Sequence, residues 1–238
     1  MGDRRKKTVL FEQLARVGKA LGNGKRLELL DLLAQGERSV ENLAATAGLG
    51  LSTASAHLQV LKQAGLVTTR RDGTKIHYDL AGLDVARLYE QLRTVAGDRV
   101  AEVERAREDY LGTGGALAGE GTAEREVSRD ELLARAARGE IAVLDVRPPE
   151  EYAAAHIPGA VSIPLAELPE RLDELPAEQE VVAYCRGAWC VLAHEAVDLL
   201  RARGRRARRL EDGLLEWRLD ELPVDTGRVA RGPAGSGG

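Results

Sequence analysis

The stretch from residue 181 to residue 200 constrains the fold of this chain more than any other. It begins with a short apolar run at 181–184 that is typical of a buried strand. A glycine-containing loop at 185–190 follows and holds both cysteines of the chain, Cys185 and Cys190. Residues 191–200 then show the apolar spacing of a helix. A strand, a tight loop and a helix in this order predict an α/β unit with a parallel sheet, as does the alternation of strand-like and helical runs from residue 130 onward.

Three features of this loop favour the thiolate of Cys185. Successive loop N–H groups can form an anion-binding concavity, and the start of the next helix adds a partial positive charge. Arg186 adds a full charge. Because the thiolate is the nucleophilic form of cysteine, we predict a reactive thiol that carries out sulfur chemistry.

Cysteine usage and hydropathy point to the cytoplasm. Two cysteines five positions apart in one loop do not form a disulfide framework, so a reducing compartment is expected. No apolar run among the 238 residues approaches the length of a membrane span. The basic N-terminus leads into an amphipathic pattern rather than the apolar core of a secretory signal. We expect a cytoplasmic protein without a membrane partner.

The charge is divided unevenly along the chain. Residues 1–98 contain 15 Lys and Arg against 11 Asp and Glu, whereas residues 99–238 contain 19 against 27, so the balances are +4 and −8. This places any affinity for nucleic acid in the first half. We predict a mainly helical domain at 1–111, a glycine-rich linker at 112–124, an α/β domain at 125–226 and a disordered tail at 227–238.

The first half has the pattern of a winged helix-turn-helix. Helical runs at 10–21, 25–35, 40–47 and 51–64 are separated by Gly and by the capping residues Asn23 and Ser39. Two strand-like runs joined through Asp72-Gly73 then predict a hairpin, the wing. A long helix is expected over 85–111.

The helix at 51–64 is the predicted recognition helix. If Ala54, Leu58 and Leu61 face the core, its short polar side chains are free to meet base edges and phosphates in a major groove. Basic residues of the hairpin suit phosphate contact. The predicted DNA-binding residues are Ser52, Thr53, Ser55, Ala56, His57, Gln59, Arg70, Arg71 and Lys75. For His57, packing or phosphate contact and base readout both stay open.

This order of elements resembles the ArsR/SmtB family of repressors over about residues 9–95. The motifs that carry the resemblance are GKRLELL at 24–30, STASAHL at 52–58 and LKQAGLV at 61–67. It implies a homodimer, built through its first and last helices, that binds an inverted-repeat operator in double-stranded DNA. The alternative is a winged helix used for protein contact. The family often senses metals, but this half has no cysteine, and His57 and His77 do not make a ligand set, so we expect no metal site.

The second half resembles a rhodanese domain over about residues 125–225. Four separated segments carry the resemblance: residues 143–152, 156–160, the loop at 185–190 and residues 213–217. The family carries sulfane sulfur as a cysteine persulfide, without a cofactor. The match implies that Cys185 is the catalytic sulfur acceptor, with the persulfide held by the N–H groups of Arg186, Gly187, Ala188, Trp189 and Cys190. It also implies that Asp145, Arg147 and His156 hold the fold.

Two alternatives concern the loop itself. Phosphatase or arsenate reductase chemistry needs an arginine six positions after the cysteine, where this chain has Val191, so that hypothesis fails. Cys190 is either a small buried residue in the first turn of the helix or a resolving thiol for Cys185.

Together these patterns predict an ArsR-type DNA-binding regulator whose rhodanese domain carries sulfur on Cys185 and senses or processes reactive sulfur species. Thiosulfate or a persulfide is the expected donor. The alternative is primarily a sulfurtransferase enzyme with an accessory DNA-binding domain. A third hypothesis, an inert protein-contact module, is disfavoured by the intact Cys185 loop.

Overall fold

The computed structural model describes residues 3–112 and 125–227. The chain divides into two compact units, one ending at Thr94 and the other beginning at Val95. Most of the predicted linker and almost all of the predicted tail lie outside the described residues, so the domain boundaries stay predictions. Within the described part of the chain, no helix is both long and apolar enough for a membrane span.

The first unit is a helical domain with a small antiparallel sheet. Its elements in chain order are α1 (Arg4–Leu21), α2 (Gly24–Leu33), β1 (Arg38–Ser39), α3 (Val40–Thr46), α4 (Leu51–Gln63), β2 (Val67–Asp72), β3 (Lys75–Leu80) and α5 (Leu83–Arg99), the last of which continues into the second unit. The predicted caps are confirmed: Asn23 accepts the N–H of Arg26, and Ser39 accepts the N–H of Asn42.

The wing is the hairpin predicted from Asp72-Gly73. β3 pairs with β2 on one side and with β1 on the other, both antiparallel. Gly73 has a φ of 59°, which a glycine adopts without strain in a two-residue hairpin turn. The helices and the wing share one core, in which Leu30, Leu58 and Tyr78 are buried. The winged helix-turn-helix is therefore confirmed.

The second unit is an α/β domain. Its elements are α6 (Ala101–Leu111), β4 (Glu126–Val127), α7 (Arg129–Ala137), β5 (Ile141–Asp145), α8 (Pro149–Ala154), β6 (Val161–Ser162), two 3-10 helices (Leu165–Glu170 and Leu172–Glu174), β7 (Glu180–Tyr184), α9 (Val191–Ala202), β8 (Ala207–Leu210) and α10 (Leu214–Leu219). The strand order is β4-β8-β7-β5-β6, and all pairs are parallel, as predicted.

Side chains of β7 alternate between two cores, one on each face of the sheet. Val182 and Tyr184 lie in one core, and Val181 and Ala183 lie in the other. A strand that is buried on both faces needs a continuous apolar run, which residues 181–183 provide. The hydroxyl of Tyr184, at the end of the strand, is hydrogen-bonded to Asp145. The loop that begins at Cys185 therefore leaves the middle of the sheet.

One prediction of local structure was wrong. The helix expected over 85–111 is broken at Val100, which is extended with a φ of −121°, so α5 and α6 are separate helices. Gly97 and the β-branched Val100 both disfavour a continuous helix at this point. The helical segment Leu165–Glu170 is a 3-10 helix and contains Pro169, which has no N–H to donate to an α-helical ladder.

A fully buried ion pair joins the carboxyl ends of β5 and β7. The guanidinium of Arg147 donates to both carboxylate oxygens of Asp145, at 2.6 to 3.2 Å, and to the carbonyl of Ala155 at 2.7 Å. The hydroxyl of Tyr184 donates to Asp145 at 2.6 Å and accepts the N–H of Ile157 at 3.0 Å. These bonds satisfy charges that would otherwise be costly to bury.

We expect Asp145→Ala to lower the free energy of unfolding of the second unit by about 3–5 kcal/mol, because it leaves Arg147 buried without its carboxylate. Urea unfolding followed by tryptophan fluorescence measures this, since both tryptophans of the chain belong to this unit. The control is Arg138→Ala, which removes an exposed pair with Glu140 and should leave the unfolding midpoint unchanged. Equal effects of the two substitutions would contradict a structural role of the buried pair.

Candidate functional site

The predicted sulfur acceptor lies where the central strand meets the next helix. Cys185 follows the last residue of β7 directly and is 2% exposed. Its carbonyl accepts the N–H of Leu214, so the start of the loop is tied to the start of α10. The loop ends at Cys190, which is the N-cap residue of α9 and is half-buried. The site thus has a strand end on one side and a helix N-terminus on the other.

The start of α10 supports the loop from outside. The carboxylate of Glu216 accepts the N–H of Ala188 at 3.3 Å and the N–H of Gly213 at 3.0 Å. Gly213 is so close to the loop that a Cβ there would overlap backbone atoms of Gly187 and lie 2.7 Å from the carbonyl oxygen of Cys185. Only glycine fits this approach, and the loop conformation therefore depends on it.

The guanidinium of Arg186, which lies beside the two thiols, is paired with the buried carboxylate of Glu151. Arg186 donates from Nε to both carboxylate oxygens of Glu151, at 3.0 Å, and from a terminal nitrogen at 2.6 Å. Glu151 lies on α8 and is 2% exposed. A bidentate pair of this kind fixes the guanidinium in position. Arg186 is therefore a fixed local charge rather than a mobile one.

The two thiols interact directly and differ in their protonation. Burial raises the pKa of Cys185 well above its ordinary value, although the N–H groups of Gly187 and Ala193 oppose this effect. The hydrogen bond from Cys185 lowers the pKa of Cys190, and the N–H groups of Arg186 and Leu192 add to it.

Cys190 is therefore the thiol that ionises first, and the expectation that the resting Cys185 is a thiolate was wrong. The physical reason is the complete burial of Cys185, which outweighs the loop and helix N–H groups. Its role as sulfur acceptor stays a prediction.

Two other N–H groups of the loop are hydrogen-bonded within the protein, and the ring of Trp189 packs near another element. The N–H of Cys190 donates to the carbonyl of Gly187 at 3.0 Å, and that of Ala188 is bound to Glu216, so these two predicted persulfide donors are engaged in this structure. The ring of Trp189 packs near Gly97, in the last turns of α5, where a Cβ would lie 3.6 Å from the ring. Both of these residues belong to the second unit.

The exposed face of α4 matches the predicted DNA-binding face. Ala54, Leu58 and Leu61 are buried, as predicted. The residues expected to face DNA are exposed or half-buried: Ser52, Thr53, Ala56 and Gln59 are exposed, and Ser55 and His57 are half-buried. The structure thus presents short polar side chains in the first two turns of the recognition helix.

The basic residues of the wing differ in their partners and therefore in how available their charges are. Arg70 forms a bidentate pair with Glu37, at 2.6 to 3.2 Å, so its charge is already countered. Arg71 bonds the carbonyl of Gly73 at the hairpin turn and is exposed, as is Lys75. On the helix, Gln59 donates to the hydroxyl of Tyr78. Arg71 and Lys75 are therefore the wing residues best placed for phosphate contact.

No metal site is found in residues 3–112 and 125–227, where no three His, Cys, Asp or Glu side chains are grouped to hold an ion.

Reasoning from the sequence missed three carboxylates that organise the sites: Glu37, Glu151 and Glu216. Only Glu216 had a local signal, since a Glu at the third position of a helix can accept the N–H of the N-cap residue, here Gly213. The other two act on residues that are distant in the sequence.

Family profiles match both units. The profile of the bacterial regulatory protein arsR family matches residues 23–69, and that of the rhodanese-like domain matches residues 128–220. A sulfurtransferase from Allochromatium vinosum is 32% identical over 101 residues, which are 42% of this chain and 92% of that protein.

Two mycobacterial proteins are also similar. The solution structure of a homodimeric winged helix-turn-helix DNA-binding domain from Mycobacterium bovis is 54% identical, with a TM-score of 0.40, over 42% of this chain and 93% of its own. The HTH-type transcriptional regulator Rv0324 of Mycobacterium tuberculosis is 53% identical over 226 residues, which are 95% of this chain and 96% of the relative. This chain belongs to the arsR family of bacterial transcriptional regulators and carries a rhodanese-like domain in its second half.

Proposed function

We propose that this regulator senses reactive sulfur: Cys185 takes up sulfane sulfur as a persulfide, and the loaded loop changes the affinity of the protein for its operator. The observation that carries the proposal is the position of Cys185, directly after the central strand and with its sulfur 3.3 Å from the carbonyl oxygen of Cys190, the N-cap residue of α9. The N–H groups of Gly187 and Ala193 lower the pKa of its thiol, against the effect of burial. Ala193 lies in the first turn of α9, so its N–H belongs to a helix N-terminus that favours an anion.

The rhodanese-like domain also supports a sulfurtransferase activity, secondary to DNA binding. The similar protein from Allochromatium vinosum is named a sulfurtransferase. In the simplest reaction the Cys185 sulfur attacks the outer sulfur of thiosulfate, the S–S bond of thiosulfate breaks and sulfite leaves.

We propose that the protein binds DNA as a homodimer through an inverted repeat. On α1 the apolar side chains Val9, Leu10, Phe11 and Leu14 are 56 to 65% exposed, which is unusual for a helix of a monomeric domain. α5 adds exposed Leu88 and Leu92. Burial of these two faces between protomers would give the two-fold symmetry that a palindromic operator requires. Because such a regulator acts on chromosomal DNA, we place it in the cytoplasm.

Trp189 offers a route from the sulfur site to the DNA-binding helices. Its ring contacts Gly97 near the end of α5, and the same helix extends back through Leu83 to the winged helix-turn-helix. A change in the loop at 185–190 that moves Trp189 would therefore bias α5, the helix proposed to join the protomers.

The sensor is tested by gel-shift on DNA upstream of the protein's own gene, with and without thiosulfate or polysulfide. We expect the donor to change the affinity of the wild type about 5- to 150-fold, the usual range of coupling between two sites, and to leave Cys185→Ser unaffected. Specific DNA binding that responds to neither the donor nor the substitution would refute sulfur sensing. Absence of specific DNA binding, together with measurable thiosulfate turnover, would favour the alternative of a sulfurtransferase with an accessory DNA-binding domain.

Arg71→Ala should weaken DNA binding at all sequences, because a phosphate contact carries no base information. We expect the slope of log K against log salt concentration to become shallower by about one. Fluorescence anisotropy on operator and unrelated duplexes, at several salt concentrations, measures both effects. Arg138→Ala, which removes an exposed arginine of the second unit, is the charge-matched control and should bind like the wild type. An unchanged slope for Arg71→Ala would show that the wing does not contact phosphate.

Trp189→Ala should separate sulfur loading from the DNA response. We expect the variant to take up sulfur on Cys185 as the wild type does, while the donor changes its operator affinity less than about two-fold, because the contact with Gly97 is lost. Intact-mass spectrometry and gel-shift on the same samples measure the two properties. A full DNA response in this variant would exclude the proposed route through α5.

A further inference from the structure

The loop at 185–190 folds back on itself and brings its two ends together. The N–H of Cys190 donates to the carbonyl of Gly187 at 3.0 Å, which closes a turn within the loop. As a result Sγ of Cys185 lies 3.3 Å from the carbonyl oxygen of Cys190. The turn therefore places both cysteines at one site, as a disulfide between them requires.

The surroundings of the two sulfurs differ in a way that suits two separate roles. Cys185 is buried, whereas Cys190 is half-buried at the start of α9. The hydrogen bond from Cys185, the N–H groups of Arg186 and Leu192 and the charge of Arg186 lower the pKa of Cys190. These groups favour the thiolate of Cys190, the nucleophilic form, next to the sulfur that is predicted to carry a persulfide.

We propose that Cys190 is the resolving nucleophile of this site: it attacks Sγ of a Cys185 persulfide, closes a Cys185–Cys190 disulfide and expels hydrosulfide. This inference rests on the proposed function, because it requires that Cys185 be loaded first. The disulfide would be the lasting signal of the sensor, because it remains after the sulfur donor has dissociated.

Both steps balance with thiosulfate as the donor. In the first, the thiol of Cys185 attacks the outer sulfur of thiosulfate, sulfite leaves, and the thiol proton ends on the transferred sulfur, which gives Cys185–S–SH. In the second, the thiolate of Cys190 forms a bond to Sγ of Cys185, the Sγ–SH bond breaks, and HS⁻ leaves. The two cysteine sulfurs lose two electrons, and the transferred sulfur gains them.

The test uses the full-length protein with thiosulfate, quenched with iodoacetamide. Sulfide is assayed in solution, and intact-mass and peptide mass spectrometry identify the sulfur species. For the wild type we expect about one sulfide per chain and a Cys185–Cys190 disulfide, a mass two hydrogens lower. Cys190→Ser should release no sulfide and should keep one extra sulfur on Cys185. Cys185→Ser should show neither product.

Each alternative outcome has a separate meaning. If the wild type and Cys190→Ser hold the same persulfide and neither releases sulfide, Cys190 is not a resolving thiol, while sulfur loading of Cys185 stands. Transfer of the extra sulfur to Cys190, without a disulfide, would also overturn the inference. If the wild type shows neither adduct nor disulfide, sulfur loading itself fails.

Two further measurements keep the test independent of folding. Tryptophan fluorescence during urea unfolding compares the fold of both serine variants with that of the wild type. Alkylation of the reduced wild type below pH 8 should modify Cys190 before Cys185, since the pKa of Cys190 is lowered and that of Cys185 is raised. Faster alkylation of Cys185 would contradict the proposed division between the two sulfurs.

Discussion

The buried pair of Asp145 and Arg147 is the interaction on which the rhodanese-like site depends. Neither side chain is exposed to solvent, so removal of either partner would leave a charge inside the protein. The pair does not act alone, because Tyr184 donates to the same carboxylate, and Tyr184 is the residue before Cys185. The ends of β5 and β7 are thereby held in one register, and the loop at 185–190 leaves the sheet from a fixed point. The Asp145–Arg147 pair therefore positions the sulfur of Cys185 indirectly, through Tyr184.

Other buried or close contacts then shape the loop itself. Glu151 holds Arg186 in place, Glu216 binds a loop N–H, and Gly213 allows the two backbones to approach where any side chain would collide. These contacts join the loop to two helices, α8 through Glu151 and the start of α10 through Glu216 and Gly213, so the loop is restrained from two sides. Such pre-organisation matters for an anion site, because N–H groups that are already oriented need no rearrangement when the charge appears.

The sequence predicted the periodic parts of the structure and failed where distant residues decide. Ala54, Leu58 and Leu61 face the core because helical spacing leaves no other choice, and the Asp72-Gly73 hairpin follows from local turn chemistry. The break at Val100 follows from local backbone preferences that apolar spacing alone does not weigh. The raised pKa of Cys185 depends on tertiary burial, which a spacing rule does not contain. The pairing of Arg70 with Glu37 and of Arg186 with Glu151 could not be predicted for the same reason: the partners are more than thirty residues apart.

The close pairing of the two thiols has a consequence for how the site handles charge. Two sulfurs in hydrogen-bond contact do not both ionise readily, because each anion raises the pKa of its neighbour. The first turn of α9 reflects this division, since the N–H of Leu192 serves Cys190 and the N–H of Ala193 serves Cys185. Negative charge is favoured on the more accessible sulfur of Cys190, and a persulfide on Cys185 would bring a second acidic group within reach of the same helix end. Formation of the proposed Cys185–Cys190 disulfide removes this repulsion between acidic groups, because the transferred sulfur then leaves as the anion HS⁻.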